Sequence, residues 1–249
     1  MHTRILLKVF GCFHKIERGD NHEKCGYCFF IHGTWRSYSN VTSNKLRRSY
    51  MKIRDYREED QASWLRCRVL SFMDSSYFDD VQRDREKYDN PVIQIVAVDH
   101  NGVVGFLDCE YEEKQGDVCY FKGDRGGVIW HMGLLPDYRG QGLATAMWHA
   151  AKKRLKENHV HRVEVWTQDD LEATRWYLKQ GFVFKEAYLN AYLKGSLGDP
   201  TLKKFLNLQD CGDIFGIRSL NFEAPIERKE ELADICYRLH EVRVYEAEL

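Results

Sequence analysis

The stretch Ile129-Trp130-His131-Met132-Gly133-Leu134-Leu135-Pro136-Asp137-Tyr138-Arg139-Gly140-Gln141-Gly142-Leu143-Ala144-Thr145 holds the clearest chemistry in the chain. It reads as a strand, a turn containing Pro and two glycines, and the start of an amphipathic helix. Glycines at such a junction let the backbone approach a ligand, and the N–H groups of a first helical turn have no intrahelical acceptor. Together with the helix dipole they make an anion site that needs no cationic side chain, and a pyrophosphate suits it. Gly140-x-Gly142 taken alone is equally the mark of two turn glycines between a strand and a helix. A dinucleotide fingerprint fits less well. Its third small position falls on Thr145, four residues separate the strand from Gly140, and its acidic residue about 20 positions on would be Glu164, in mid-strand.

A second cluster of reactive types lies near the N-terminus, where Cys25-Gly26-Tyr27-Cys28 has Cys12, His14, His22 and His32 nearby. The second Cys pair or His-x3–5-His pair that zinc sites use is missing, so no metal is expected. No thioredoxin-like βαβ surrounds the pair either.

Arg139-Gly140-Gln141-Gly142-Leu143-Ala144 resembles the Arg/Gln-x-x-Gly-x-Gly/Ala signature of the GNAT superfamily of acetyl-CoA-dependent N-acetyltransferases, and Leu135–Tyr138 resembles the strand exit that precedes it. Downstream, Thr167 to Phe182, with Ala173 and Tyr177 on a helix followed by Gly181-Phe182, is similar to the second signature of that family. The resemblance implies a mixed α/β (α+β) acyl-CoA N-acyltransferase fold, a twisted mixed sheet of about seven strands with flanking helices. It also implies acetyl-CoA as co-substrate, seated between the strands Val128–Leu135 and Arg162–Thr167. The amides of Arg139, Gly140, Gln141, Gly142, Leu143 and Ala144, with the Thr145 hydroxyl, would hold the pyrophosphate. Backbone groups of Met132, Leu134 and Leu135 would pair with the pantetheine arm, and the Leu135 N–H would polarise the acetyl carbonyl.

The transfer needs an amine deprotonated and a thiolate protonated as it leaves. Tyr177 occupies the general-acid position of the family. Its plain alternative is a core aromatic sharing a helix face with Ala173 and Trp176. Where some relatives carry Glu early in the strand this chain has Ile129, and His131 stands where other amine acetyltransferases place a histidine. An imidazole with a pKa of about 6.5 suits proton removal at neutral pH, although a hydrogen-bonded sheet histidine reads equally well. Asp108, Glu110 and Glu164 are fallback carboxylates, each read first as a solvated strand residue. Asp170 replaces the family Asn that contacts pantetheine, and an Asp there can serve as a helix cap.

The elements around these residues follow from periodicity. Met51–Arg57 reads as a strand, and Glu58-Glu59-Asp60 opens a helix with apolar positions Leu65, Val69 and Phe72. A second helical stretch is expected over Tyr77–Tyr88. Ile93–Val98 and Val103–Tyr111 form a hairpin through Asn101-Gly102. Leu143, Ala146, Met147, Ala150, Ala151 and Leu155 mark one helix face. Arg162–Thr167 is a strand, Asp170–Gln180 a helix and Phe182–Leu193 a strand. A helix bearing Leu232, Ile235, Cys236 and Leu239 follows Pro225, and Glu241–Glu246 closes the sheet. Trp64, Tyr77, Phe78, Tyr188 and Tyr192 could line an acceptor side.

Charge divides the chain. Residues 1–50 hold nine Lys/Arg against three Asp/Glu, and residues 51–249 hold 28 against 35. We therefore read residues 1–50 as a basic, dispensable extension and residues 51–249 as the GNAT-like domain. No apolar run reaches the roughly 18 residues of a membrane span. With net charge −1 among 30% charged residues, neither a globally basic nucleic-acid binder nor a disordered chain fits. Eight cysteines, most of them sitting singly, read as reduced thiols of a cytoplasmic protein. The expected activity is acetyl transfer from acetyl-CoA to a primary amine of a small molecule or peptide, by direct attack in a ternary complex, with homodimerisation left open. The alternative is a non-catalytic acyl-CoA-binding regulatory module.

Overall fold

The computed structural model describes residues 28–31, 34–37, 51–73, 75–79, 81–193 and 220–249. The chain divides into two compact units, Met1–Met51 and Lys52–Leu249. In the first, β1 (Cys28–Ile31) and β2 (Thr34–Ser37) form an antiparallel hairpin. Cys25 lies outside the described residues, and with it the reading of the Cys25/Cys28 pair.

The second unit runs β3 (Lys52–Asp55), α1 (Gln61–Met73), β4 (Val92–Asp99), β5 (Gly102–Tyr111), β6 (Gly126–Leu134), α2 (Leu143–Glu157), β7 (Arg162–Thr167), α3 (Leu171–Lys179), β8 (Val183–Leu193), β9 (Leu220–Pro225), α4 (Lys229–Ala233) and β10 (Arg238–Glu248). One eight-stranded sheet has the order β3-β4-β5-β6-β7-β10-β8-β9. Every neighbouring pair is antiparallel except β6–β7, which α2 joins as a parallel crossover. The mixed α/β sheet is borne out, with β9 added to the seven expected strands.

The two faces of the sheet are covered by different helices. A Cβ added at Gly133 would meet Phe106 Cζ at 2.7 Å and Ser71 Cβ of α1 at 3.2 Å, whereas one added at Gly105 would point at Met147 of α2. Phe106 and Gly133 are register partners next to the Gly105–Leu134 pair. Alternation along the strands therefore puts α1 on one face and α2 on the other. Helix α3 lies beside α2, where Trp176 Nε1 donates to Thr145 Oγ1 at 3.1 Å.

Three expected elements differ. Residues 81–90 form no helix; their side chains reach inward instead, with Arg85 and Tyr88 on Asp108 and Glu86 on Arg68. The buried face of α1 is Trp64, Cys67, Arg68, Ser71 and Phe72, so the stripe read through Leu65 and Val69 sits one residue off. After Pro225 only a 3-10 turn and the five residues of α4 are helical. Leu239 belongs to β10 and pairs with Ala191, burying the same apolar side chain at strand rather than helix spacing. Residues 194–219, between β8 and β9, lie outside the described residues. None of the described helices is long and apolar enough to cross a membrane.

Candidate active site

Strand β6 pairs with β7 only from Gly126–Arg162 to Ile129–Val165. Its register against β5 shifts between Asp108–His131 and Cys109–Ile129, leaving Trp130 as an extra, bulged residue. The bulge places two consecutive side chains, Trp130 and His131, on the α1 face. Trp130 Nε1 reaches Glu110 Oε2 at 2.8 Å and its ring lies parallel to Trp166 at 6.4 Å. Beyond the bulge β6 leaves β7, and the wedge between them is a cavity of about 360 Å³ lined among others by His131, Met132, Leu134, Gly140, Ala144 and Tyr177.

The backbone alternation decides which groups of β6 face this wedge. The Leu135 N–H donates to Val104 O at 2.9 Å, so Leu135, Gly133 and His131 turn their peptide groups toward β5. The N–H groups of Met132 and Leu134 point the other way, into the wedge. The Leu135 N–H is therefore spent, and the donor available to a carbonyl oxygen there belongs to Leu134 or Met132.

At the helix mouth, Gly140 and Gly142 have φ of +69° and +81°, a region that glycine enters without penalty. Nothing lies within 4 Å of a Cβ built on either, so their requirement is conformational. The first helical bond of α2 is Ala146 N–H to Gly142 O. Among the described residues no protein acceptor serves the N–H groups of Gly140, Gln141, Gly142, Leu143, Ala144 and Thr145. These six amides and the cavity behind them fit an extended diphosphate-bearing carrier.

Two of the expected anion-binding groups, the Arg139 N–H and the Thr145 hydroxyl, have protein partners, and so has the Gln141 side chain. The Arg139 N–H donates to Pro136 O at 3.1 Å. Its guanidinium reaches Leu134 O at 3.4 Å and Ser71 O at 3.2 Å, tying the end of β6 to the end of α1. Thr145 Oγ1 accepts from Trp176, and the Gln141 side chain turns back to Asp137 O at 2.8 Å. The Asp170 carboxylate caps α3, accepting from the N–H groups of Glu172 (2.8 Å) and Ala173 (3.1 Å).

Tyr177 is buried on the α2/α3 face, its ring parallel to Tyr245 at 6.5 Å and edge-on to Phe182 at 5.3 Å. Burial, and then the field of Tyr77 and Asp170, raises its hydroxyl above the ordinary phenol value, so it keeps its proton. Tyr77, from the chain after α1, accepts the Gln168 N–H at 2.7 Å and lines the same cavity. Trp64 is fully buried core and lines no acceptor surface.

The three fallback carboxylates are all buried, not solvated. Glu164 holds the N–H groups of Tyr120 (2.9 Å) and Phe121 (3.0 Å) and pairs with Arg162. Glu110 takes Trp130 Nε1 and the Asn90 N–H. Asp108, the register partner of His131, accepts from Tyr88 Oη at 3.1 Å and lies 3.5 Å from Arg85; burial pushes its carboxyl up. Sequence reasoning missed Arg68 and Glu86. Arg68 is fully buried and 2.6 Å from Glu86, whose other neighbour is His131 Nε2 at 3.1 Å. Burial opposes ionisation of Glu86, but the contacts with His131 and Arg68 outweigh it and hold its carboxyl down at about 2. The signal was an Arg on the Trp64–Phe72 face of α1, a core position at which a cation demands a carboxylate.

The family model for the acetyltransferase (GNAT) family matches residues 53–182. N-alpha-acetyltransferase 30 of Schizosaccharomyces pombe is 26% identical over 107 residues, covering 43% of this chain and 67% of that protein. Among solved structures, a candidate acetyltransferase from Acinetobacter baylyi ADP1 aligns at 15% identity with a TM-score of 0.50, over 80% of this chain and 92% of its own. The ribosomal-protein-S18-alanine N-acetyltransferase of Escherichia coli aligns at 9% identity with a TM-score of 0.48, over 80% and 93%. With a strand-to-helix amide cradle, a wedge between parallel strands and a family match over more than half its length, the chain belongs to the acetyltransferase (GNAT) family and is an acyltransferase with acetyl-CoA as its co-substrate.

Proposed function

We propose that the chain transfers acetyl from acetyl-CoA to the primary amine of a peptide or small molecule in the cytoplasm, by direct attack within a ternary complex. The observation that carries this reading is the wedge itself. The bulge at Trp130 opens one cavity onto which His131 looks from the α1 face and Tyr177 from the α2/α3 face. Acetyl-CoA supplies an acyl group already activated as a thioester. The amides of Gly140–Thr145 hold its diphosphate, and the Met132 and Leu134 backbone pairs with its arm. The Leu134 N–H donates where charge develops on the carbonyl oxygen. His131 takes the proton from the amine, and Tyr177 returns one to the departing sulfur.

Direct transfer is supported by the state of the thiols. Burial pushes the Cys67 thiol up to about 12 and raises those of Cys109 and Cys119, so none of the three offers a thiolate for an acyl-enzyme at neutral pH. A peptide N-terminus is the first acceptor class to try, since the similar Schizosaccharomyces pombe protein is an N-alpha-acetyltransferase. The test is thiol release from acetyl-CoA with peptides of varied first residue, polyamines, aminoglycosides and amino acids, with products weighed by mass spectrometry. Tight coenzyme A binding with no acetylated product from any amine would leave the chain as an acyl-CoA-binding module instead.

A further inference from the structure

The loop between α1 and β4 delivers a carboxylate to the one histidine of the wedge. Glu86 Oε1 is 3.1 Å from His131 Nε2. Glu86 is itself fixed by Arg68, whose Nη1 donates to Oε2 at 2.8 Å and whose Nη2 is 2.6 Å from Oε1. Arg68 cannot swing away. Its side chain is fully buried, with its guanidinium 5.4 Å from the Trp64 ring centroid and 5.1 Å from that of Phe72. Phe72 in turn lies 6.3 Å from the His131 ring. Glu86 Oε1 meets His131 and Arg68 Nη2 as close charge contacts and not as aligned hydrogen bonds. A bare ring nitrogen set 3.1 Å from an ionised carboxylate would still be repelled, which favours the ring hydrogen on Nε2 and the lone pair on Nδ1.

The other charged groups around the imidazole come from every element packed there. Strand β5 contributes Asp108 and, beyond it, Glu110; the 81–90 loop contributes Arg85 and Tyr88; α1 contributes Arg68. Arg85 sits between Asp108 (3.5 Å) and the Tyr56 ring (3.6 Å), and Tyr88 donates to Asp108. The two guanidiniums thus face the two carboxylates nearest the ring, and the cluster balances without a charge on the imidazole. When the ring gains a proton, the group placed to meet the new charge is Glu86.

We infer that Glu86, anchored by Arg68, is the positioning residue of His131: it fixes the imidazole with its hydrogen on Nε2 and its lone pair on Nδ1, and stabilises the imidazolium formed when the acceptor amine gives up its proton. The inference rests on the proposed role of His131 as base and extends it to a second residue that no substrate touches. A carboxylate behind a catalytic imidazole acts this way on unrelated folds, and its removal there costs rate through the wrong tautomer.

The test uses the full chain with 15N-labelled histidine and reads the His131 tautomer by long-range 1H–15N correlation, alone and with coenzyme A. The wild type is expected to show the Nε2–H tautomer. In Glu86→Gln that preference is lost, the effect of removing the neighbouring carboxylate. Because Glu86→Gln strands a buried guanidinium, Arg68→Met/Glu86→Gln removes the pair together and must give the same spectrum. Glu86→Asp, one methylene shorter, keeps the charge for Arg68 while withdrawing it from Nε2, and is expected to give a spectrum between the two.

With any amine that the protein acetylates, Glu86→Gln should lower kcat roughly 10- to 100-fold. In a His131→Gln background the same change should cost less than twofold, a coupling that a merely structural carboxylate would not show. An Nδ1–H tautomer in the wild type, an Nε2–H preference that survives in Glu86→Gln, or its loss only in Asp108→Asn overturns the inference. An unchanged rate in His131→Gln, with the spectral coupling intact, overturns the base assignment and with it the catalytic part of the inference; the dyad itself would remain.

Discussion

Glu112→Gln asks whether the connection between β5 and β6 is held by charge. The Glu112 side chain is fully buried and accepts three backbone hydrogen bonds, from Gly116 (2.7 Å) and Cys119 (3.2 Å) on one oxygen and from Gly126 (2.8 Å) on the other. A glutamine retains a single oxygen. Its best orientation gives that oxygen to Gly116 and Cys119 and turns an NH2 toward the Gly126 N–H. One bond to a charged acceptor is then lost, worth about 1.5–3 kcal/mol, and the other two weaken from charged to neutral. A total of roughly 3 kcal/mol would lower the Tm of a unit of roughly 200 residues by roughly 6–12 °C. Burial opposes ionisation of Glu112, but the three N–H groups and Arg162 outweigh it, so its carboxyl titrates below the ordinary range when folded. Its contribution is complete above the unfolded value of about 4.3 and is lost as pH falls through the lower folded one. Melting curves of both proteins at neutral pH and near pH 3 should therefore show a wide gap that narrows with acid. A gap under about 1 °C at pH 7, or one that grows on acidification, refutes the assignment of three charge-assisted bonds.

Tyr177→Phe should lower kcat roughly 100-fold while coenzyme A affinity stays within twofold, read by stopped-time assays and calorimetry, because the role proposed for the hydroxyl is on the leaving sulfur and not in binding. Gly142→Ala forces a side chain into φ near +81°; with open space around it the strain is about 1–2 kcal/mol, and weaker coenzyme A binding should accompany the lower Tm as the amide cradle relaxes. Arg139→Ala should weaken coenzyme A binding without changing its salt dependence, since this guanidinium ties β6 to α1 and faces carbonyls; a flattened salt slope would return it to the diphosphate. Deleting residues 1–50 should leave coenzyme A affinity unchanged by calorimetry, and loss of binding or solubility would show that the basic extension supports the domain.

Much of the frame was readable because local signals and tertiary demands agree. Arg162–Thr167 is a strand to the residue, and Asp170 caps α3 as its chemistry suggests. The glycine pair at 140 and 142 marked the helix mouth. Where local pattern and tertiary contact compete, the pattern misled. Tyr77–Tyr88 has the polar and aromatic mix of a helix, yet its residues are held by Arg68, Asp108, His131 and Gln168, none of them close in sequence. The carboxylates of Asp108, Glu110 and Glu164 looked like solvated strand positions because charge at strand spacing usually means an exposed face. Here they serve as acceptors for loop amides, arginines and an indole, and nothing in the local text announces those donors. The spent Leu135 N–H was likewise out of reach, since its direction depends on the register of β5 against β6.

That register also explains how the proposed acid and base come to face one cavity from opposite sides of a sheet. A regular strand from Gly126 to Leu134 would stay paired to β7, and the two faces would have no passage between them. The extra residue at Trp130 breaks the regular ladder just where pairing with β7 stops, at Ile129–Val165. One consequence is the wedge, through which, in the proposed mechanism, an amine on the α1 face meets a thioester whose carrier is held at the mouth of α2. The other is that two consecutive side chains share the α1 face, so Trp130 can close against Trp166 while His131 reaches Glu86. Deleting Trp130 would restore the alternation with His131 still opposite Asp108, while removing both the ring that closes against Trp166 and the irregularity at which β6 parts from β7. A shortened chain of that kind should lose transfer even where a folded sheet remains by circular dichroism, whereas Trp130→Phe, which keeps the count of residues, should retain it. Equal activity of the two would show that the bulge does not create the site.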